Sequence, residues 1–282
     1  MLSMQHILSA ALHYGDSKEF EDHVGAVVFP DAVRMYTGRR EYTHFEESKD
    51  GNDTSYWKFP TTMKDLNKEE IQKSLEKDGH LCENIQPCAI GERTWVKEFR
   101  RTNNHLPRTM YEGIEMHLRQ DVAFDDFIRR EMDCSGKYDD VFVMNGKTLN
   151  GKEARQCIGE IEQFGIYYLA KELYEKHGVT ANQEWFDTRV KPALDEAYSA
   201  ELSENTYRFM KLDDTYNALI TNHDWSKLEH GPVSKDAYAT FYQDLQERLA
   251  MPSGYEQVET MRRERELPSL RTQDTHACDF QY

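Results

Sequence analysis

The apolar residues Leu2, Ile7, Leu8, Ala11 and Leu12 recur at helical spacing, so the chain opens with an amphipathic helix over residues 2–14 that stops at Gly15. A second helix is expected over residues 17–29. Pro30 then forces a stop or a kink, because it brings no N–H and its ring crowds the preceding turn. Asp31 is left at a helix junction, either as the N-cap of a segment from Ala32 to Tyr36 or with its carboxylate turned inward. From Glu46 to Leu106 the pattern becomes polar and broken, with Lys49-Asp50-Gly51-Asn52-Asp53, Pro60, a charged helical run near residues 64–78, and Pro87. Trp57, Phe59 and Trp95 in this excursion either wall a pocket or pin a long loop to the core.

Pro107 suits the first turn of a helix over residues 107–132, which carries Met110, Ile114, His117, Leu118, Asp121, Phe124 and Ile128 near one face. Between Val141 and Leu149 the pair Asn145-Gly146 separates two short β-prone runs and predicts a small hairpin. Residues 151–177 form a strongly periodic helix through Ile158, Ile161, Ile166, Leu169 and Leu173, closed by Gly178. Further helices are expected at about 181–211, broken at Pro192, and at about 234–250. After Pro252 the chain is polar and charged around Arg262-Arg263-Glu264-Arg265-Glu266, a short helix or a mobile tail. The fold class is therefore all-α, a multi-helix bundle with a small β-hairpin insertion. Residues 1–250 form one helical domain with a loop-rich insertion at 46–106, and residues 251–282 form a C-terminal extension.

Composition narrows the function. A net charge of -16 over 282 residues argues against duplex DNA or an anionic membrane surface as a tight partner, since both require clustered Lys and Arg. The five cysteines, Cys82, Cys88, Cys134, Cys157 and Cys278, are scattered without a Cys-x-x-Cys and suit a reducing compartment, although Cys82 and Cys88 are close enough in sequence to pair. No signal-peptide pattern and no transmembrane run is visible, so the expected location is cytoplasmic. A Gly-rich phosphate loop, a Gly-x-Ser-x-Gly elbow and a His-Glu-x-x-His are all missing, which argues against nucleotide-dependent enzymes, serine hydrolases and common metalloproteases.

The candidate chemistry lies in His6, Asp31, His44, and a His117-x-x-x-Asp121 pair one helical turn apart. Imidazole nitrogens and carboxylate oxygens suit zinc and similar divalent ions, and a cation they hold would bring the pKa of water down to roughly 7. Asp31 is the candidate general base. Arg34, Arg39 and Arg40 lie between Asp31 and His44, where a guanidinium fork can hold a phosphate oxygen; they also serve as neutralising partners for Glu41, Glu46 and Glu47. His6 lies close to the apolar face of the first helix, where a core histidine with one hydrogen bond is the competing reading. His223-Asp224 is a dipeptide of the kind that supplies ligands in HD-domain phosphohydrolases.

Four strings carry a resemblance: Met4 to Leu12 with His6, Val24-Gly25-Ala26-Val27-Val28-Phe29-Pro30-Asp31, Tyr42-Thr43-His44-Phe45, and Tyr111-Glu112-Gly113-Ile114-Glu115-Met116-His117-Leu118-Arg119-Gln120-Asp121. Together they resemble the zinc-dependent phospholipase C and S1/P1 nuclease superfamily, which is all-helical. The resemblance implies that Asp31, His44, His117 and Asp121 form one four-ligand site, and that His6 with a bridging Asp121 begins a second. It covers about the first 125 residues. The family's His soon after the helical Asp and its later His-x-x-x-Glu have no counterpart here, although Asp126 or Glu160 could stand in for them. The family also uses a processed N-terminal amine as a ligand, whereas this chain begins Met1-Leu2-Ser3. The cofactor implied is a divalent metal, zinc foremost, as one or two ions. The expected function is a metal-dependent hydrolase acting on a small phosphodiester or phospholipid headgroup, with an HD-type phosphohydrolase and a non-catalytic helical interaction protein with a degenerate metal site as the rival readings.

Overall fold

A computed structural model describes residues 3–37, 41–44, 47–48, 58–77, 87–88, 96, 99–100, 102–132, 142–210 and 212–264. Arg39, Arg40, Trp57, Trp95, Cys82, Cys134 and residues 265–282 lie outside the described residues. In chain order the elements are α1 (Ser3–Tyr14), α2 (Lys18–Thr37), the short α3 (Glu41–His44), β1 (Glu47–Ser48), α4 (Lys68–Lys77), β2 (Pro87–Cys88), α5 (Arg108–Glu131), β3 (Phe142–Met144), β4 (Lys147–Leu149) and α6 (Gly151–His177). They continue as α7 (residues 183–197), α8 (Ala200–Tyr207), α9 (Asp214–Thr221), a 3₁₀ turn at Ser226–His230, α10 (Lys235–Ala250) and α11 (Gly254–Glu264). The described chain is thus all-α with two minor β pairings. The expected hairpin is present, its turn made by Asn145 and Gly146 at φ of 52° and 75°. The antiparallel pairing of β1 with β2 was not expected from the sequence.

The expected helix α1 is present, but it is buried on more than the one face its amphipathic spacing implies. Residues 3–12 are buried on every face, with α2 on one side and α6 on another. The first 15 residues contain no Asp, Glu, Lys or Arg, so no side chain there resists full burial. Gly165 of α6 allows the close approach, because a Cβ at that position would collide with the amide of Gln5. Gly15, at φ +71°, ends α1 as expected.

Helix α2 packs most extensively against α5 and also borders α1 and α7. The crossing is tight where Gly113 meets Ala26: a Cβ on Gly113 would stand 2.5 Å from the Ala26 Cβ and 3.0 Å from the Val27 nitrogen. Pro30 does not stop this helix, which continues to Thr37. Its missing N–H costs the helix the one bond to the Ala26 carbonyl, and the carbonyls on either side of Ala26 take side-chain donors from neighbouring elements. Tyr198 donates its hydroxyl to the Gly25 carbonyl at 2.5 Å, and His117 donates to the Val27 carbonyl at 2.7 Å. Asp31 is therefore an interior helical residue rather than an N-cap. Likewise Pro192 does not break its helix: a π-helical turn at Phe186–Val190 precedes it, and the break comes at Tyr198, with Ser199 capping α8. Helix α6 matches its expected bounds, with Asn150 and Glu153 forming a capping box and Gly178 closing it at φ +70°.

Phe59 is fully buried, its ring 5.6 Å from that of Phe29 and 6.3 Å from that of Phe99, and its amide donates to the Asn103 side chain at 2.8 Å. It pins the excursion to the core, the second of the two roles open to it. Helix α11 packs on α5, where the buried Glu115 carboxylate accepts from Arg100, Arg119 and the Gly254 amide.

Candidate metal centre

Four helices each bring one side of a single cluster. His6 comes from α1, Asp31 from α2, His44 from the end of α3, and His117 and Asp121 from successive turns of α5, all of them buried. The five residues proposed from the sequence thus converge. His6 Nε2 lies 3.3 Å from Asp121 Oδ1 and 4.0 Å from Asp31 Oδ2. His44 Nε2 lies 3.6 Å from Asp31 Oδ1 and 3.4 Å from Asp121 Oδ2. His117 Nε2 is 3.6 Å from Asp121 Oδ2 and 3.0 Å from His44 Nε2. The rings of His6 and His117 stack at 3.8 Å between centroids. The atoms fall into two ligand triads, His6–Asp31–His117 and His44–His117–Asp121, which share His117.

Hydrogen bonds behind the cluster decide which ring atoms carry protons. The Val27 carbonyl can only accept, so His117 donates to it from Nδ1 and keeps a lone pair on Nε2. His6 Nδ1 faces the Gln120 side-chain oxygen at 2.6 Å, which leaves the His6 Nε2 lone pair directed at the two carboxylates. That buried Nε2 has no hydrogen-bond partner among the described residues. Ser3 donates its hydroxyl to Asp31 Oδ2 at 2.8 Å, and the Thr43 hydroxyl, 2.8 Å from His44 Nδ1, can donate or accept and so serves either tautomer of that ring.

The result is a buried cluster in which His6 and His117 present lone pairs, His44 Nε2 carries the proton of its bond to His117, and Asp31 and Asp121 present carboxylate oxygens. Burial pushes the Asp31 carboxyl up, but the hydrogen bond from His44 and the surrounding imidazoles outweigh it and hold the group well below the usual carboxylate range. Burial drives His117 well below its ordinary value, so a proton there is disfavoured. Two buried carboxylates this close together are costly unless a cation compensates them. Three imidazoles and two carboxylates fit a divalent transition metal, zinc among them, as the donor types suggest.

The other sequence candidates separate from this cluster. Arg34 Nη1 lies 3.8 Å from Asp31 Oδ1 with its side chain 45% exposed, so it extends from the cluster toward solvent. Asp126 is paired with Arg248 at 2.6 Å, and the exposed Glu160 accepts from Gln156, one turn away on the same helix, so neither substitutes for a missing ligand. His223 stacks on Tyr174 and lies 2.9 Å from the Thr180 hydroxyl, while the exposed Asp224 accepts from the Ser226 amide. This pair forms a surface turn at the end of α9 and is not part of the cluster. Ser3, Thr43 and Gln120 were not singled out by sequence reasoning. The only signal was their spacing from the ligands: Ser3 three residues before His6, Thr43 beside His44, and Gln120 three residues after His117.

Compared with family models, curated proteins and solved structures, the chain has no match among any of them.

Proposed function

We propose that this protein is a metal-dependent hydrolase of small phosphate esters, either phosphodiesters or phospholipid headgroups, similar in its first half to the zinc-dependent phospholipase C and S1/P1 nuclease group. The observation that carries the reading is the convergence of His6, Asp31, His44, His117 and Asp121, from four separate helices, in one buried cluster of ring nitrogens and carboxylate oxygens. A cation held there supplies Lewis-acid polarisation and lowers the pKa of water toward roughly 7. The five side chains fix its position. Asp31, kept ionised, serves first as a ligand and second as a proton acceptor, because a carboxylate with so depressed a pKa is a weak base. Arg34 adjoins Asp31 and reaches solvent, and it is assigned to orient an anionic phosphoryl oxygen. With a net charge of -16, the protein favours a small ester over a long nucleic acid. Among the described residues no helix is long and apolar enough to cross a membrane.

The test is hydrolysis of bis(p-nitrophenyl) phosphate and of p-nitrophenyl phosphorylcholine by protein loaded with zinc or manganese. Turnover that disappears on chelation and in His117→Ala supports the reading. A metal-loaded wild type that is inert toward both esters counts against it and in favour of an interaction protein.

A further inference from the structure

Gln120 lies at the centre of α5, fully buried, between the two helical ligands His117 and Asp121. A buried primary amide is costly unless its donors and acceptor are matched. Both bonds recorded for this amide go to one residue of another helix: its oxygen is 2.6 Å from His6 Nδ1, and its nitrogen donates to the His6 backbone carbonyl at 3.4 Å. The geometry settles which way the amide points. The carbonyl of His6 can only accept, so the NH₂ must face it, the amide oxygen must face Nδ1, and Nδ1 must carry the ring proton.

This matters because the other tautomer has a strong local attraction. With its proton on Nε2, His6 would place a positive N–H dipole beside the Asp121 carboxylate 3.3 Å away, an attraction that turns a ligand atom into a donor and closes that position to a cation. We propose that Gln120 is a positioning residue that locks His6 in the Nδ1–H tautomer and so keeps its Nε2 lone pair available to a metal ion. The inference rests on the metal-site reading above. It explains why a long amide sits inside an otherwise ligand-bearing helix face, and it adds a second tie between α1 and α5 at the site itself.

The tautomer is directly observable. In chelator-treated protein labelled with ¹⁵N-histidine, the ring-nitrogen shifts and two-bond couplings of His6, assigned by the loss of its signals in His6→Asn, report which nitrogen is protonated. The wild type should show Nδ1–H, Gln120→Met should move His6 toward Nε2–H, and Gln120→Glu, which still offers an acceptor to Nδ1, should restore Nδ1–H. Zinc affinity measured by competition with a chromophoric chelator should fall about 10- to 100-fold in Gln120→Met and recover in Gln120→Glu. A wild type with His6 as Nε2–H overturns the proposal without any variant. A Gln120→Met protein that keeps both Nδ1–H and wild-type zinc affinity also overturns it, even if its melting temperature falls. A wild type that shows Nδ1–H but binds no zinc leaves the tautomer lock in place and instead refutes the metal-site reading on which it was built.

Discussion

Replacing Asp121 by Asn should make the metal-stripped protein more stable and the metal-loaded protein less stable. Asp31 and Asp121 both approach His44 Nε2, at 3.6 and 3.4 Å, so oxygens of the two carboxylates lie within roughly 7 Å of each other, and at an effective dielectric near 20 their repulsion is about 2 kcal/mol. Asn removes that repulsion. It can also turn an amide N–H toward His6 Nε2, which lies 3.3 Å from the present Oδ1, for a further gain of about 1 kcal/mol. For a domain of this size 1 kcal/mol corresponds to about 2–4 °C, so in chelator Asp121→Asn should melt about 4–12 °C above wild type. In excess zinc the order should reverse. The wild type gains roughly 4.1 kcal/mol at a free metal concentration 1,000 times its dissociation constant, more than the variant's advantage of about 3 kcal/mol, and a variant lacking one ligand gains much less. Scanning calorimetry of both proteins, with chelator and with zinc, gives the four melting temperatures required. An Asp121→Asn protein that is the less stable of the two in chelator would show that the carboxylate is an ordinary structural acceptor and that the cluster carries no uncompensated charge.

Other consequences can be measured independently of activity. Gly113→Ala should destabilise by about 1–3 kcal/mol in urea unfolding even though alanine is the better helix former, because its methyl has to displace Ala26 and the Val27 backbone; zinc affinity should fall with it, since the Val27 carbonyl holds His117. Burial raises the Glu112 carboxyl, but the adjacent His23 and the hydrogen bonds from Arg108 more than offset this and leave its pKa below the ordinary 4.5. The contribution of a carboxylate with a depressed folded pKa is complete above the unfolded value and fades as the pH falls through the folded one. The stability difference between wild type and Glu112→Gln should therefore be constant from about pH 6 to 8 and shrink below about pH 4.5. A difference that instead grows toward acid would reverse the assignment.

The helical architecture was legible because long periodic runs dominate the chain, and periodicity with the stop at Gly178 placed α6 over its observed bounds. The five cluster residues were legible as chemical types, yet periodicity could not show that α1, α2, α3 and α5 meet. What it misjudged was backbone tolerance. Pro30 was expected to stop or kink its helix and Pro192 to break one, but each helix continues through its proline, Pro30 within α2 and Pro192 just after a π-helical turn. Helix α1 was read as amphipathic from its spacing, whereas its lack of charged residues was the better guide to its burial on every face. The supporting shell of Ser3, Thr43 and Gln120 was not visible, since polar residues near a ligand acquire meaning only when the facing helix is known.

The central claim is that the cluster holds a divalent ion. Its most direct test is elemental analysis of protein purified without chelator and then dialysed against a stoichiometric excess of zinc, compared with His117→Ala treated identically. The account predicts at least one tightly retained equivalent of metal in the wild type and none in the variant. Wild-type protein that retains no metal, or a variant that retains as much as the wild type, would contradict it.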